Sequence, residues 1–269
     1  MSGHRPAAVA GTFYPGEAAT LSTEVAAYLA QAGSPAAGEA PPKAIIAPHA
    51  GYIYSGPVAA SAYTRLAPMR GRIERVVLAG PAHRAYVAGV AIPAADSFDT
   101  PLGAVRLDRA ALEALRALPF VEVSDRAHAL EHSLEVQLPF LQSVLGDFLL
   151  VPVVVGEASA DEMAALFEAL WGGEETLVVV SSDLSHYLSY EAARRKDRAT
   201  AEAIVALRPL DHDQACGASP INGLLAYARR RGLAIELVDL RNSGDTQGGR
   251  DRVVGYGAFA LREPGGIRA

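Results

Sequence analysis

The chain reads as a single three-layer α/β/α domain with a mixed sheet, and three observations predict it. Strand-like and helix-like patterns alternate along its 269 residues. Several apolar runs, residues 148–155 and 176–180 among them, are continuous rather than alternating, as in strands buried on both faces. Three such runs also end on residues of metal-ligand type: 43–48 deliver His49, 75–81 deliver His83, and 176–182 deliver Asp183 with His186 shortly after. In open α/β sheets, ligands sit beyond the carboxyl ends of the strands. These residues therefore predict one convergent site.

The elements follow in order. Glu17–Gln31 has helical spacing, with Leu21, Val25, Tyr28 and Leu29 on one face. Residues 33–42 are rich in Gly, Pro and Ala and read as a loop. A strand ends at His49, and a helix over Pro57–Leu66 follows, with proline in its first turn. The strand before His83 comes next, then a short apolar strand over Val87–Pro93. Asp108 caps a helix bearing Leu112, Leu115 and Leu118. Helical spacing over Glu131–Leu145 is bent by Pro139. The strand over Phe148–Val155 precedes a capping box, Ser159 with Glu162, which opens a helix reaching Trp171. After the Thr176 strand come helices over Ser189–Leu207 and Pro220–Arg231, the latter stopped by Gly232. Strands over Ala234–Leu240 and Val253–Leu261 close the chain. The domain is expected to span residues 1–262, with 263–269 a frayed tail.

Bulk composition excludes several functions. Half the residues are hydrophobic and 20% are charged, a globular balance. The formal charge of −6 argues against a nucleic-acid groove, which needs clustered cations. The one dense basic run, Arg229-Arg230-Arg231, falls at a helix end, where cations favour the dipole. No apolar stretch reaches the roughly 18 residues of a membrane span. No secretory h-region follows Met1, and the lone cysteine, Cys216, fits a reducing cytosol. A cytoplasmic protein is expected.

Candidate chemistry lies in five short segments. Pro48-His49-Ala50-Gly51-Tyr52 and Gly80-Pro81-Ala82-His83 repeat one design: buried strand, tight turn, histidine. In Ser181-Ser182-Asp183-Leu184-Ser185-His186, Asp183 can orient His186, which then acts as general acid or base. A nucleophilic Ser-His-Asp arrangement is an alternative there, although no Gly-x-Ser-x-Gly elbow is present. Cys216 precedes a helix with proline at its start, a position that lowers a thiol pKa and favours a soft metal; a small buried hydrophobe is the competing role. His128-Ala129-Leu130-Glu131-His132 matches the H-x-x-E-H zinc-protease pattern. Alternatively Glu131, His132 and Glu135 hydrogen-bond the strand-end site from outside. Tyr52, Tyr54 and Tyr187 either wall an aromatic pocket or fill space under loops.

Pro48-His49-Ala50-Gly51-Tyr52, Gly80-Pro81-Ala82-His83, Glu131-His132-Ser133-Leu134-Glu135, Ser181-Ser182-Asp183-Leu184-Ser185-His186 and Cys216-Gly217-Ala218-Ser219-Pro220-Ile221, with Ala10-Gly11-Thr12-Phe13-Tyr14-Pro15 and Gly255-Tyr256-Gly257-Ala258, resemble the Memo family over nearly the whole chain. A bacterial or archaeal member resembles protein B of the AmmeMemoRadiSam system, whose genes accompany an AMMECR1-like protein and a radical SAM protein. The resemblance implies a fold like that of class III extradiol, LigB-type dioxygenases. Those enzymes hold iron(II) through two histidines and a carboxylate. It implies His49, His83 and Cys216 as metal ligands, His186 as acid/base and Asp183 beside it; Ser182, His132, Glu131, Tyr52 and Tyr54 are expected around the pocket. Iron(II) is the expected metal, with copper(I) and zinc as alternatives, and the substrate is small and phenolic. Ala82 departs from the serine expected in many relatives. Animal Memo proteins are linked to phosphotyrosine peptides, so the resemblance also implies a competing, non-catalytic binding role.

Overall fold

The computed structural model describes residues 3–35 and 38–264. The amino-terminal half carries β1 (His4–Arg5), α1 (Ala18–Ala32), β2 (Ala44–Ala47), α2 (Tyr52–Tyr63), β3 (Arg75–Pro81), β4 (Val90–Ile92), β5 (Ser97–Thr100), β6 (Gly103–Arg106), α3 (Arg109–Leu115), β7 (Val121–Val123) and α4 (Asp125–Ala129). Then come α5 (His132–Glu135), α6 (Leu138–Leu145), β8 (Leu149–Val155), α7 (Ala160–Leu170), β9 (Thr176–Ser181), β10 (His186–Leu188), α8 (Tyr190–Val205), α9 (Ala218–Arg231), β11 (Ala234–Asn242) and β12 (Val253–Arg262).

The main sheet has nine strands in the order β10-β12-β2-β9-β3-β8-β4-β7, with β11 also paired to β12. Its centre, β2-β9-β3-β8, is parallel; β12 and β4 flank it antiparallel, so the sheet is mixed. Nearly every residue of those four strands is buried, which requires cover on both faces. One group of helices, α1, α2 and α6, packs together and meets the sheet through α2 on β2 and β12. Another pairs α7 with α9, and α9 meets β3. Ile45, Val77, Leu78, Val153 and Val179 lie in the core between them, each fully buried.

Several boundaries differ from expectation for physical reasons. Helix α2 begins at Tyr52, not Pro57, because Tyr52 N–H donates to Phe13 O (2.8 Å), anchoring the first turn on another segment. Pro57 therefore sits inside the helix, costing one backbone bond. The helix expected over Glu131–Leu145 is two, α5 and α6, with Pro139 in the first turn of the second. Pro220 is the third residue of α9 rather than the first. The caps at Asp108 and Ser159 are present as expected. A small sheet, β1-β5-β6, went unforeseen because its strands are too short to show alternation. Glu263 accepts a bond from Trp171 Nε1 (2.8 Å), so the expected tail is tied at its start; residues 265–269 lie outside the described residues, as do 36 and 37 of the expected loop.

Candidate metal centre

Strands β2, β9 and β3 are parallel neighbours, with Ala47 opposite Ser181 and Ala79 opposite Val180. Their carboxyl ends therefore open on the same edge, and the segments after them bring His49, Asp183 and His83 together. The His49 and His83 ring centroids are 5.2 Å apart. A third imidazole arrives from α5: His132 stacks on His83 at 4.7 Å and meets His49 edge-on at 5.5 Å. Gly80 permits that approach, since a Cβ there would lie 2.9 Å from both Ser133 Oγ and Leu134 Cδ2. One nitrogen from each ring falls within 4.8 Å of the others. His132, expected to support the site from outside, is a member of its central cluster.

Hydrogen bonds orient the rings. Glu131 is buried and accepts from His83 Nδ1 (3.0 Å), from the His83 backbone N–H (2.5 Å) and from the Ser133 N–H (2.9 Å). Burial raises its pKa, but the His83 ring, with its own N–H and that of Ser133, outweighs this and holds it at about 2. Glu131 is thus a carboxylate at neutral pH, and a carboxylate on Nδ1 leaves Nε2 of His83 as the free donor. Burial, helped by the charge of His83, lowers His49 to about 3; burial, helped by His49, lowers His132 to about 4. Both imidazoles are neutral near pH 7, the form that binds metal.

Cys216 enters from the segment before α9. Its Sγ lies 3.3 Å from His49 Nε2 and accepts the Asp183 backbone N–H at 3.2 Å. Ser182 Oγ holds that segment, accepting Gly217 N–H (2.9 Å). A Cβ on Gly217 would strike Ser182 Cβ at 2.7 Å, so glycine lets the loop close on β9. Burial pushes the thiol up to about 12, with the charge of Asp183 adding to it. The expected lowering by the helix N-terminus is overridden, because desolvation disfavours the thiolate.

Other expectations are redirected. Asp183 Oδ1 accepts the His49 backbone N–H (2.8 Å), and no hydrogen bond joins Asp183 to His186 among the described residues. His186 lies exposed on β10, close enough for its charge to act on both Asp183 and His49. Tyr52 walls no pocket: it is buried against Phe140, and its hydroxyl donates to Val136 O (2.7 Å). Tyr54 and Tyr187 are exposed. His128 sits in α4 under Phe98, donating Nε2–H to Ala91 O (3.0 Å), so it shares no ion with His132 and the H-x-x-E-H reading is overturned. Ser181, Ser182 and Ser185 are buried, and Asp183 meets the backbone of His49 rather than its ring, so no serine triad forms among the described residues. Sequence reasoning missed Gln137, Ser133 and the supporting role of Ser181; only burial marks Gln137, and no local pattern signals it.

The donor set fits a metal ion. His132 Nδ1 is buried without a hydrogen-bond partner, with the Glu131 carboxylate 3.4 Å away and the His49 and His83 rings beside it. Imidazole suits zinc, iron and copper, and a thiol at the same centre adds softness.

Fold and cluster define an α/β protein with histidines gathered at the carboxyl edge of a parallel core. Residues 5–260 match the family model described as "Memo-like protein". A "MEMO1 family protein" of Ignicoccus hospitalis is 39% identical, covering 97% of this chain and 99% of that protein. Another, of Aquifex aeolicus, is 36% identical over 94% and 97%. Among solved structures, an uncharacterized protein JW3007 from Escherichia coli K12 aligns with a TM-score of 0.50 at 18% identity, over 79% of this chain and 98% of that one, a likeness of fold. The chain belongs to the Memo-like family.

Proposed function

We propose that this protein is a metal-dependent oxidoreductase resembling non-heme extradiol dioxygenases, with a mononuclear centre held by His49, His83 and Cys216 and flanked by His132. The observation that carries this reading is the convergence of three imidazole donors within 4.8 Å at the ends of separate elements. Iron(II) is the proposed metal because two imidazoles, the anionic donor that Cys216 would become on releasing its proton to metal binding, and open positions suit it; copper(I) and zinc are the alternatives. Such a metal supplies Lewis acidity and exchange of electrons with O₂.

The chain's own residues divide the remaining work. Glu131 orients His83, and Asp183 holds the backbone of His49. Exposed His186 is proposed to take a proton from a phenolic substrate, with Tyr54 and Tyr187 flanking that substrate. Cytoplasmic location and partnership with AMMECR1-like and radical SAM proteins are proposed on family resemblance.

Anaerobic protein offered Fe(II), Cu(I) and Zn(II) should bind one equivalent, and His49→Ala should lose it. Oxygen uptake with a panel of catechols should then follow metal content. Failure to bind any of the three at this cluster would sink the proposal. Metal binding without turnover of any phenol would favour a second reading, a non-catalytic module that captures a partner's side chain. That reading is supported by the exposed Tyr187 ring with Arg252 stacked at 5.1 Å.

A further inference from the structure

We infer that Ser181, set by Gln137 and Ser133, is a positioning residue that fixes His49 as the Nδ1–H tautomer, and that one hydrogen-bond chain presents His49 and His83 to the centre through the same ring nitrogen. The affinity consequence rests on the proposed metal site; the tautomer does not.

The direction of every proton in this chain follows from groups that can only accept. Gln137 is fully buried in the break between α5 and α6. One end of its amide lies 2.9 Å from Pro48 O and 3.4 Å from Ala47 O. Carbonyls only accept, so that end is the NH₂, and the opposite Oε1 accepts from Tyr63 Oη (2.7 Å). The same NH₂ donates to Ser181 Oγ at 2.7 Å. Ser181 has one hydroxyl proton, and it goes to Ser133 O at 2.6 Å, again a group that only accepts. Ser181 then faces His49 Nδ1, 2.8 Å away, with a lone pair. A neutral imidazole can satisfy it only by carrying its proton on Nδ1. The other tautomer would oppose two lone pairs in a site closed to water, as His49 and Ser181 are both buried.

This leaves Nε2 of His49 as the acceptor, and that atom faces Cys216 Sγ at 3.3 Å. On the far side, Ser133 donates its N–H to Glu131 Oε1 (2.9 Å), which also receives His83 Nδ1 (3.0 Å). Ser133 Oγ donates to Pro81 O (2.9 Å), locking α5 to the end of β3. The chain therefore runs from His83 through Glu131, Ser133 and Ser181 to His49, with both imidazoles bonded through Nδ1. It also passes along the backbone next to His132, so one hydroxyl couples the placement of all three rings.

The test is a long-range ¹H–¹⁵N spectrum of metal-free protein labelled at histidine nitrogens, with His49 assigned by its loss in His49→Ala. Wild type should show a protonated Nδ1 and an unprotonated Nε2. Ser181→Ala should lose this single-tautomer signature and bind Zn(II) about tenfold to a hundredfold more weakly. Ser181→Thr, which keeps the hydroxyl, should restore both. A wild-type His49 protonated on Nε2 would overturn the inference without recourse to any variant. So would Ser181→Ala with unchanged ring signals and affinity. If wild type has the expected tautomer but binds no zinc, the positioning role stands and the metal proposal fails.

Discussion

Cys216 Sγ lies 3.3 Å from His49 Nε2, although 167 positions separate the two residues in the chain. That spacing suits two ligands of one ion. With Co(II) in place of the native metal, the wild type should show thiolate-to-metal charge-transfer absorption in the near ultraviolet. Cys216→Ala should lose that band while keeping a weaker Co(II) complex through the imidazoles. An unchanged spectrum would remove Cys216 from the ligand set.

Glu131 makes two bonds to His83, one to the ring and one to the backbone. Glu131→Gln replaces an acceptor-only carboxylate with an amide that cannot satisfy both. Metal affinity should fall about tenfold to a hundredfold in titration calorimetry, the usual effect of losing the partner that orients a histidine ligand. Far-ultraviolet circular dichroism should be unchanged, separating this loss from unfolding.

Glu135 is fully buried and accepts from Arg5 Nη1 (2.6 Å), Tyr14 Oη (2.6 Å), and the Ala8 (2.8 Å) and Val9 (3.0 Å) N–H groups. Arg5 also donates to His128 O and Glu131 O, both at 2.7 Å. The pair thus clips the amino-terminal segment onto the helices that carry His132. Arg5→Ala leaves a buried carboxylate without its cation and should cost about 3–5 kcal/mol in urea denaturation. A loss under about 1 kcal/mol would mean the segment is held by other contacts.

Burial lowers His128 to about 4 from its unfolded value near 6.5. The unfolded chain takes up that proton below pH 6.5, whereas the native protein resists it until pH 4. This contribution to the stability of the metal-free protein should therefore be level above pH 7 and be lost as pH drops from about 6.5 to 4. His128 alone accounts for about 3 kcal/mol across that window, and His49 and His132 act with the same sign. His128→Asn should flatten the fall in denaturant midpoint; an equally steep fall in the variant would contradict the assignment.

Much of this site was legible in the sequence, and the reasons are physical. His49, His83 and Asp183 follow short apolar runs typical of strands buried on both faces, and parallel neighbours among such strands end on one edge. Cys216 is a candidate from its place before a helix, with a buried hydrophobe as the competing role; family resemblance makes it a ligand, and the fold sets it beside His49. His132 was harder, because its helix spans only His132–Glu135 and reaches the centre through the missing side chain of Gly80, a tertiary fact. Gln137 reads as a polar residue within a helical pattern, yet it is fully buried because it spans β2, β9 and α2. Tyr52 sits beside the ligand segment in sequence but points into the core, since it begins α2 and its ring packs on Phe140. Cys216 shows the limit of a local rule: desolvation of the thiolate, with the charge of Asp183, outweighs the lowering that a position before a helix gives.

Metal content and activity can both mislead, but the position of an ion cannot. Crystals grown anaerobically with Fe(II), and separately with Zn(II), should give one anomalous peak within about 2 Å of a ring nitrogen of both His49 and His83. No peak there, or peaks only at surface carboxylates, would contradict the central claim that these strand-end imidazoles form a metal centre.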